Sequence, residues 1–210
     1  MNRGEYLTNP LSGERIAVIA RGATTGGQLY SMDYFLAPGG NVREHFHPNQ
    51  EMTIRVLSGT LSCTIGGTPC ILEPGQSAVL PPGTRHTQSN LGTLEVHAIE
   101  EYRPALAMDS MFESAFRFAA SGAFRSRIKG PLQAAAFRWK FRRESRPGQR
   151  RAFLTAMALA PIALLLGYRG RYEERAAEPT VAPDRPATGE SPSSGALGRP
   201  LNRTSLCVLW

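Results

Sequence analysis

From Tyr30 to Ala98 apolar side chains recur at every second residue in short runs, and glycine or proline closes most of the runs. A period of two puts alternate side chains on one face of a strand, so the pattern demands β-structure with one buried face. Tyr30, Met32, Tyr34 and Leu36 form the first set, stopped by Pro38-Gly39-Gly40. Met52, Ile54 and Val56 form the next, with Glu51, Thr53 and Arg55 on the opposite, outward face. Leu61, Cys63 and Ile65 follow, Gly66-Gly67 reads as a tight hairpin turn, and Cys70 and Leu72 return on the inner face, which sets Cys63 across from Cys70. Pro74-Gly75 and Pro81-Pro82-Gly83 mark further turns, and Leu94, Val96 and Ala98 complete the set. Short antiparallel strands with turns at regular intervals predict a mainly β sandwich or jelly roll.

Two stretches inside this region carry histidines. His45 and His47 are two residues apart, so a strand projects them to one side, and His86 must join them from a neighbouring strand. Imidazole suits iron, zinc, nickel or copper, and three such ligands leave coordination positions open. A hydrogen-bonded group of core histidines is the plainer reading; three at these spacings favour a divalent metal. His97 falls in the outward register of its strand and reads as a surface residue.

The same stretches resemble the paired motifs of the cupin superfamily. Gly39, His45, His47 and Gly59 fit the first motif, and Gly75, Pro81, Gly83, His86 and Asn90 fit every fixed position of the second, with fifteen residues between Gly59 and Gly75. The resemblance covers residues 14–103 and implies a double-stranded β-helix, the RmlC-like jelly-roll barrel of single-domain bacterial cupins. It also implies a metal, iron, zinc, nickel, manganese or copper, held by His45, His47 and His86. The family's fourth ligand is a glutamate. Here Glu51 has the right distance from His47 but stands one residue too far from Gly59, and the alternation turns it outward, so Met52 takes the inward place. The expected site is therefore a three-histidine centre with Met52 as a wall. Arg43, Gln88, Tyr34, Met32, Ile54 and Cys63 are the other expected lining residues, Arg43 sharing the face of His45 and Gln88 that of His86.

Charge is concentrated after the barrel. Eleven basic residues and one acid, Glu144, lie between Arg117 and Arg151, while the rest of the chain holds 13 basic and 16 acidic residues. Helical spacing replaces alternation beyond Arg103-Pro104. Ser110 to Glu113 reads as a capping box ahead of Phe112, Ala115, Phe116 and Ala119, and Ser121-Gly122 stops that run. Pro131 is placed to open a second helix, with Leu132, Ala135, Ala136 and Trp139 on one side. The third segment, Phe153 to Gly167, is apolar all round, contains Pro161, and would extend about 22 Å as a helix, short of a bilayer core. A helix buried on the barrel or on a second subunit is the first expectation, and membrane association the second, because arginines 150, 151, 169 and 171 flank it. Residues 176–210, rich in Pro, Ala, Gly and Ser, are expected to be disordered. The chain thus divides into a barrel (14–103), a helical extension (104–175) and a tail (176–210).

The N-terminal MNRGEYLTNPLSGERIAV lacks the apolar run of a secretory signal, and three cysteines make no secreted disulfide framework, so a cytoplasmic location is expected. Residues 138–171 are the segment expected to meet an anionic membrane surface. A homodimer is expected from the resemblance and the apolar helix. Nucleic acid is disfavoured as a partner, since no helix-turn-helix, zinc finger or stacking motif accompanies the basic cluster. Two functions remain: a metal-dependent enzyme on a small molecule, with a dioxygenase placed ahead of an isomerase or cyclase, and a non-catalytic ligand-binding barrel docked through its basic helices to a membrane or protein partner.

Overall fold

The alternation is realised as two antiparallel sheets that enclose the inward side chains. The computed structural model describes residues 6–127 and 129–173, which belong to one compact unit. Strands β1 (Tyr6–Asn9), β2 (Glu14–Ala20), β3 (Tyr30–Leu36), β4 (Asn41–Phe46), β5 (Glu51–Ser58) and β6 (Leu61–Ile65) come first. They are followed by β7 (Thr68–Leu72), β8 (Ser77–Leu80), β9 (His86–Ser89), β10 (Val96–Arg103) and, beyond two helices, β11 (Arg146–Pro147). One sheet runs β1-β2-β3-β10-β5-β8 and the other β11-β4-β9-β6-β7, the jelly roll expected from the sequence.

The register follows the apolar pattern. Tyr30, Met32, Tyr34 and Leu36 of β3, Met52, Ile54 and Val56 of β5, and Val96 and Ala98 of β10 are buried in one cluster. Cys63 pairs with Cys70 beside the Gly66-Gly67 turn, where φ of 59° and 87° at the two glycines meets the requirement of the tight hairpin. Both cysteines are free thiols. Gly59 is needed for a different reason: a Cβ there would lie 2.8 Å from the Glu95 carbonyl and 2.9 Å from the Val96 Cα. Asn90 ties the ends of three segments together, its Nδ2 donating to the carbonyls of Leu36 and Leu94 and its backbone N–H to Gly40. Leu94, expected on the inner face, is exposed because β10 begins only at Val96.

The extension is not a separate appendage in space. Helix α1 (Met108–Ala120) sends Met108, Met111, Phe112 and Phe116 into the barrel's own core, where Phe112 packs against Tyr30 and Tyr102 with ring centroids 5.8 Å apart in each case. Burying each such side chain contributes about 1.5–3 kcal/mol. The capping box is corrected by the helix start: α1 begins at Met108 with Ala107 as its uncapped N-cap, because burial of Met108 extends the helix one turn earlier. Ser110 lies inside the helix, and Glu113 instead pairs with Arg117 one turn on. Helix α2 (Lys129–Lys140) carries Pro131 in its first turn, where a missing N–H costs nothing.

Helix α3 (Arg150–Leu165) departs from expectation. It buries only Ala156, Ala160 and Ala163, the narrow face that lets it approach α2, and leaves Leu154, Ile162, Leu164 and Leu165 exposed. It is therefore not a helix buried on the barrel. No helix among the described residues is long and apolar enough to cross a membrane. The segment 176–210 lies outside the described residues.

Candidate metal centre

Strands β4 and β9 position the histidines. His45 sits directly opposite His86 in the ladder, and His47 follows β4 into the interior. The rings of His45 and His86 are 4.3 Å apart between centroids, those of His45 and His47 5.1 Å, and those of His47 and His86 5.4 Å. One ligand atom from each of the three lies within 4.8 Å of the others. The Gly83 backbone N–H, from the second histidine stretch, donates to the His47 carbonyl of the first, so the turn before β9 is fixed against the end of β4.

The tautomer of each ring follows from its neighbours. The Nδ1 of His45 is 2.9 Å from the Arg43 carbonyl, that of His47 2.7 Å from the Glu144 carbonyl, and that of His86 3.1 Å from the Thr84 carbonyl. A carbonyl only accepts, so each Nδ1 carries the hydrogen and each neutral ring keeps its lone pair on Nε2. The Nε2 atoms of His47 and His86 are buried with no hydrogen-bond partner. Burial lowers the affinity of all three rings for a second proton; His86 falls to about 3, and the neighbouring histidines add to the depression at His47 and His86. Three neutral imidazoles with Nε2 lone pairs gathered in a small volume fit a divalent metal ion, and the carbonyl acceptors behind them supply the outer contacts that orient such ligands.

Met52 is 1 % exposed whereas Glu51 on the same strand is exposed, so the inward place belongs to the thioether. β5 has a bulge at Leu57, opposite the His97–Ala98 step of β10, but it lies beyond Met52, Ile54 and Val56 and leaves Glu51 outward, since β5 keeps unbroken register with β8 from Met52 to Arg55. Met32, Tyr34, Ile54, Cys63 and Gln88 are all buried in the barrel. Arg43 is not among them. The β4–β9 register shifts between Val42 and His45, so Arg43 and Glu44 together oppose Thr87, and this bulge turns the Arg43 side chain to the outside. There Arg43 shares an outer cavity with Glu44, Arg138 and Gln149. His97 is outward as expected, stacked on Phe35 at 4.3 Å and bonded to Asp33.

Alternation and spacing do not single out two further groups that contact the candidate site. Glu100 continues the inward register of Val96 and Ala98 and is 1 % exposed. Gln88 Nε2 donates to its Oε1 at 2.7 Å, and the Tyr102 hydroxyl to its Oε2 at 2.7 Å. Burial pushes the Glu100 carboxyl up to about 7 despite these two hydrogen bonds, which favour the charged form. Tyr102 in turn packs edge-on against His47 with centroids 5.0 Å apart, connecting the carboxyl to the histidine cluster. The signal was available: Val96, Ala98, Glu100 and Tyr102 alternate without a break.

The second group is the segment around Glu144. Its carbonyl accepts from His47, Asn49 Nδ2 donates to the Arg143 carbonyl at 2.9 Å, and Pro147 pairs with His45 across the β4–β11 ladder. The extension thus supplies part of the wall around the histidines.

Residues 32–100 match the family model described as a cupin domain. The chain is similar to Protein SchB of Streptomyces halstedii, 29% identical over 83 residues that make up 40% of this chain and 58% of that protein. It is similar also to the tetracenomycin polyketide synthase protein TcmJ of Streptomyces glaucescens, 29% identical over 69 residues, 33% of this chain and 46% of that one. The chain spans about half the length of these curated relatives. Among solved structures it is similar to KdgF from Halomonas sp., with 19% identity, coverage of 50% of this chain and 90% of that one, and a TM-score of 0.43.

Proposed function

We propose that this chain, which carries a cupin domain over residues 32–100, is a metal-dependent enzyme that transfers a proton on a small organic substrate. His45, His47 and His86 would hold the divalent metal through Nε2. Bound there, the metal would polarise a substrate oxygen and stabilise negative charge that develops on it. The remaining chemistry belongs to the protein. Glu100, with its carboxyl near neutrality, takes up or gives back a proton, which a carboxylate at its ordinary pKa does poorly at physiological pH. Gln88 fixes one oxygen of that carboxyl, and Tyr102 fixes the other while standing against His47.

This buried carboxyl is the observation that carries the catalytic reading, and it favours an isomerase or cyclase type of reaction over the dioxygenase expected first. Similarity to a protein named for polyketide synthesis agrees with a carbonyl-rich organic substrate. The test is solvent deuterium exchange into a panel of 1,3-dicarbonyl compounds, followed by proton NMR with metal-loaded protein and with Glu100→Gln. Exchange in the parent that drops in the variant supports the reading. Oxygen uptake indifferent to Glu100→Gln restores the dioxygenase, and neither activity leaves a ligand-binding barrel.

A second reading concerns the extension. The leucines that α3 leaves exposed favour docking on an anionic membrane surface through residues 138–171.

A further inference from the structure

Cys63 and Cys70 stand directly opposite each other in the β6–β7 ladder, so both side chains lie on the face of the hairpin that is turned toward the barrel. Opposite residues of an antiparallel pair have Cα atoms about 4.5–5.5 Å apart, within the roughly 4.4–6.8 Å that a disulfide spans. The two thiols are already hydrogen-bonded to one another. Strand β7 is the last of its sheet and pairs only with β6, so it can close on β6 without breaking another ladder. The thiols differ in access. Cys63 is 7 % exposed, and burial, reinforced by the neighbouring Cys70, pushes its thiol up to about 12, so it keeps its proton. Cys70 is half-buried on the edge strand and is the sulfur that a small reagent reaches first. On its other side Cys63 pairs with Gln88, the residue that holds the Glu100 carboxyl, so the cysteine pair belongs to the wall beside that hydrogen bond.

A single buried cysteine is a packing residue, but two facing thiols, one reachable and one shielded, can act as an attacking and a resolving sulfur. We propose that Cys63 and Cys70 form a reversible dithiol–disulfide site that exchanges with low-molecular-weight disulfides of the glutathione type. The Cys70 thiolate, its proton released to water, attacks one sulfur of the small disulfide. A mixed disulfide forms at Cys70, and one small thiolate leaves and takes a proton from water. Cys63 then attacks the Cys70 sulfur: the Cys63–Cys70 bond forms, the mixed bond breaks, and the second small thiol leaves with the Cys63 proton. The protein loses two electrons and two protons, and the small disulfide gains them. Cβ atoms across an antiparallel pair are about 4.5–5.5 Å apart, wider than the roughly 3.5–4.5 Å of a relaxed bridge, so the bond closes under strain and opens again in excess thiol. The site stands apart from the metal and from the role of Glu100, and its test needs neither.

The test is mass spectrometry of the folded full chain after equilibration with oxidised glutathione, on a Cys207→Ser background that removes the third cysteine. This chain should become two hydrogens lighter, carry no glutathione, and return to its first mass in excess reduced glutathione. The lost hydrogens should map to the tryptic peptide Val56–Arg85, which holds both cysteines. With Cys63→Ala added, the reaction should stop at one glutathione bound to Cys70. With Cys70→Ala added, no glutathione should be taken up, because the remaining thiol is shielded. A chain that keeps both hydrogens, or that holds one glutathione at Cys70 without losing it to Cys63, overturns the proposal. Glutathione on Cys63 in the Cys70→Ala chain overturns the assigned order of attack. The Cys207→Ser chain has an unaltered barrel wall, so its mass decides the question even where Cys63→Ala or Cys70→Ala fails to fold.

Discussion

The Nδ1 of His47 lies 2.7 Å from the backbone carbonyl of Glu144, a residue 97 positions later in the chain. This bond chooses the tautomer of His47 and turns its Nε2 toward His45 and His86. A ring on the barrel therefore takes its orientation from the helical extension, and the two parts are one structural unit.

Removing residues from Glu144 onward should therefore weaken divalent metal binding even though all three histidines remain. Losing an outer contact of this kind lowers metal affinity about 10–100-fold. Competition against a chromogenic chelator measures it; affinity equal to that of the full chain would show that the Glu144 carbonyl plays no part.

The Glu100 carboxyl predicts a pH signature. Its pKa is raised in the folded protein to about 7 from 4.5, so the folded state holds a proton that the unfolded state releases. Stability from this group is intact below about pH 4.5 and is lost as pH rises toward 7, reaching about 3 kcal/mol of destabilisation above that window. The buried histidines act in the opposite sense, their lowered pKa values costing stability as pH falls below 6.5. Comparing Glu100→Gln with the parent isolates the carboxyl. In metal-free protein the variant should gain stability relative to the parent between pH 4 and pH 8 by urea denaturation, and a difference constant across that range would contradict the assignment.

Gly59 should not tolerate a side chain. At φ 75°, with the Glu95 carbonyl and the Val96 Cα each less than 3 Å from where a methyl group would stand, Gly59→Ala combines backbone strain with a backbone clash. A cost of about 2 kcal/mol or more is expected, from about 1–2 kcal/mol for the left-handed conformation plus the displacement of β10. Thermal unfolding checks it, and an unchanged midpoint would mean that the β5–β6 turn relaxes freely.

Much of the barrel was legible because burial on one face enforces a strict period of two. That rule placed Met52 inward and Glu51 outward, and it brought His45, His47 and His86 together. It failed at Arg43, where a bulge opposite Thr87 inserts an extra residue and breaks the phase. It also held at Glu100 without being followed there, since a carboxylate in an inward position reads as the end of a buried strand until its partners Gln88 and Tyr102 are seen. The role of Glu144 had no local signal, because a backbone carbonyl carries no side-chain identity and its partner is on the other side of the fold. Hydropathy alone reads the leucines of α3 as buried, whereas the alanine face that packs on α2 is set by close approach rather than by the largest apolar groups.

The measurement that tests the central claim most directly is elemental analysis of the full chain, purified without chelator or histidine tag, beside His86→Ala and His97→Ala. The three-histidine centre predicts about one divalent metal ion per chain in the parent and in His97→Ala, and its loss in a folded His86→Ala. Parent protein that stays metal-free after reconstitution, or metal retained in full by His86→Ala, would contradict it.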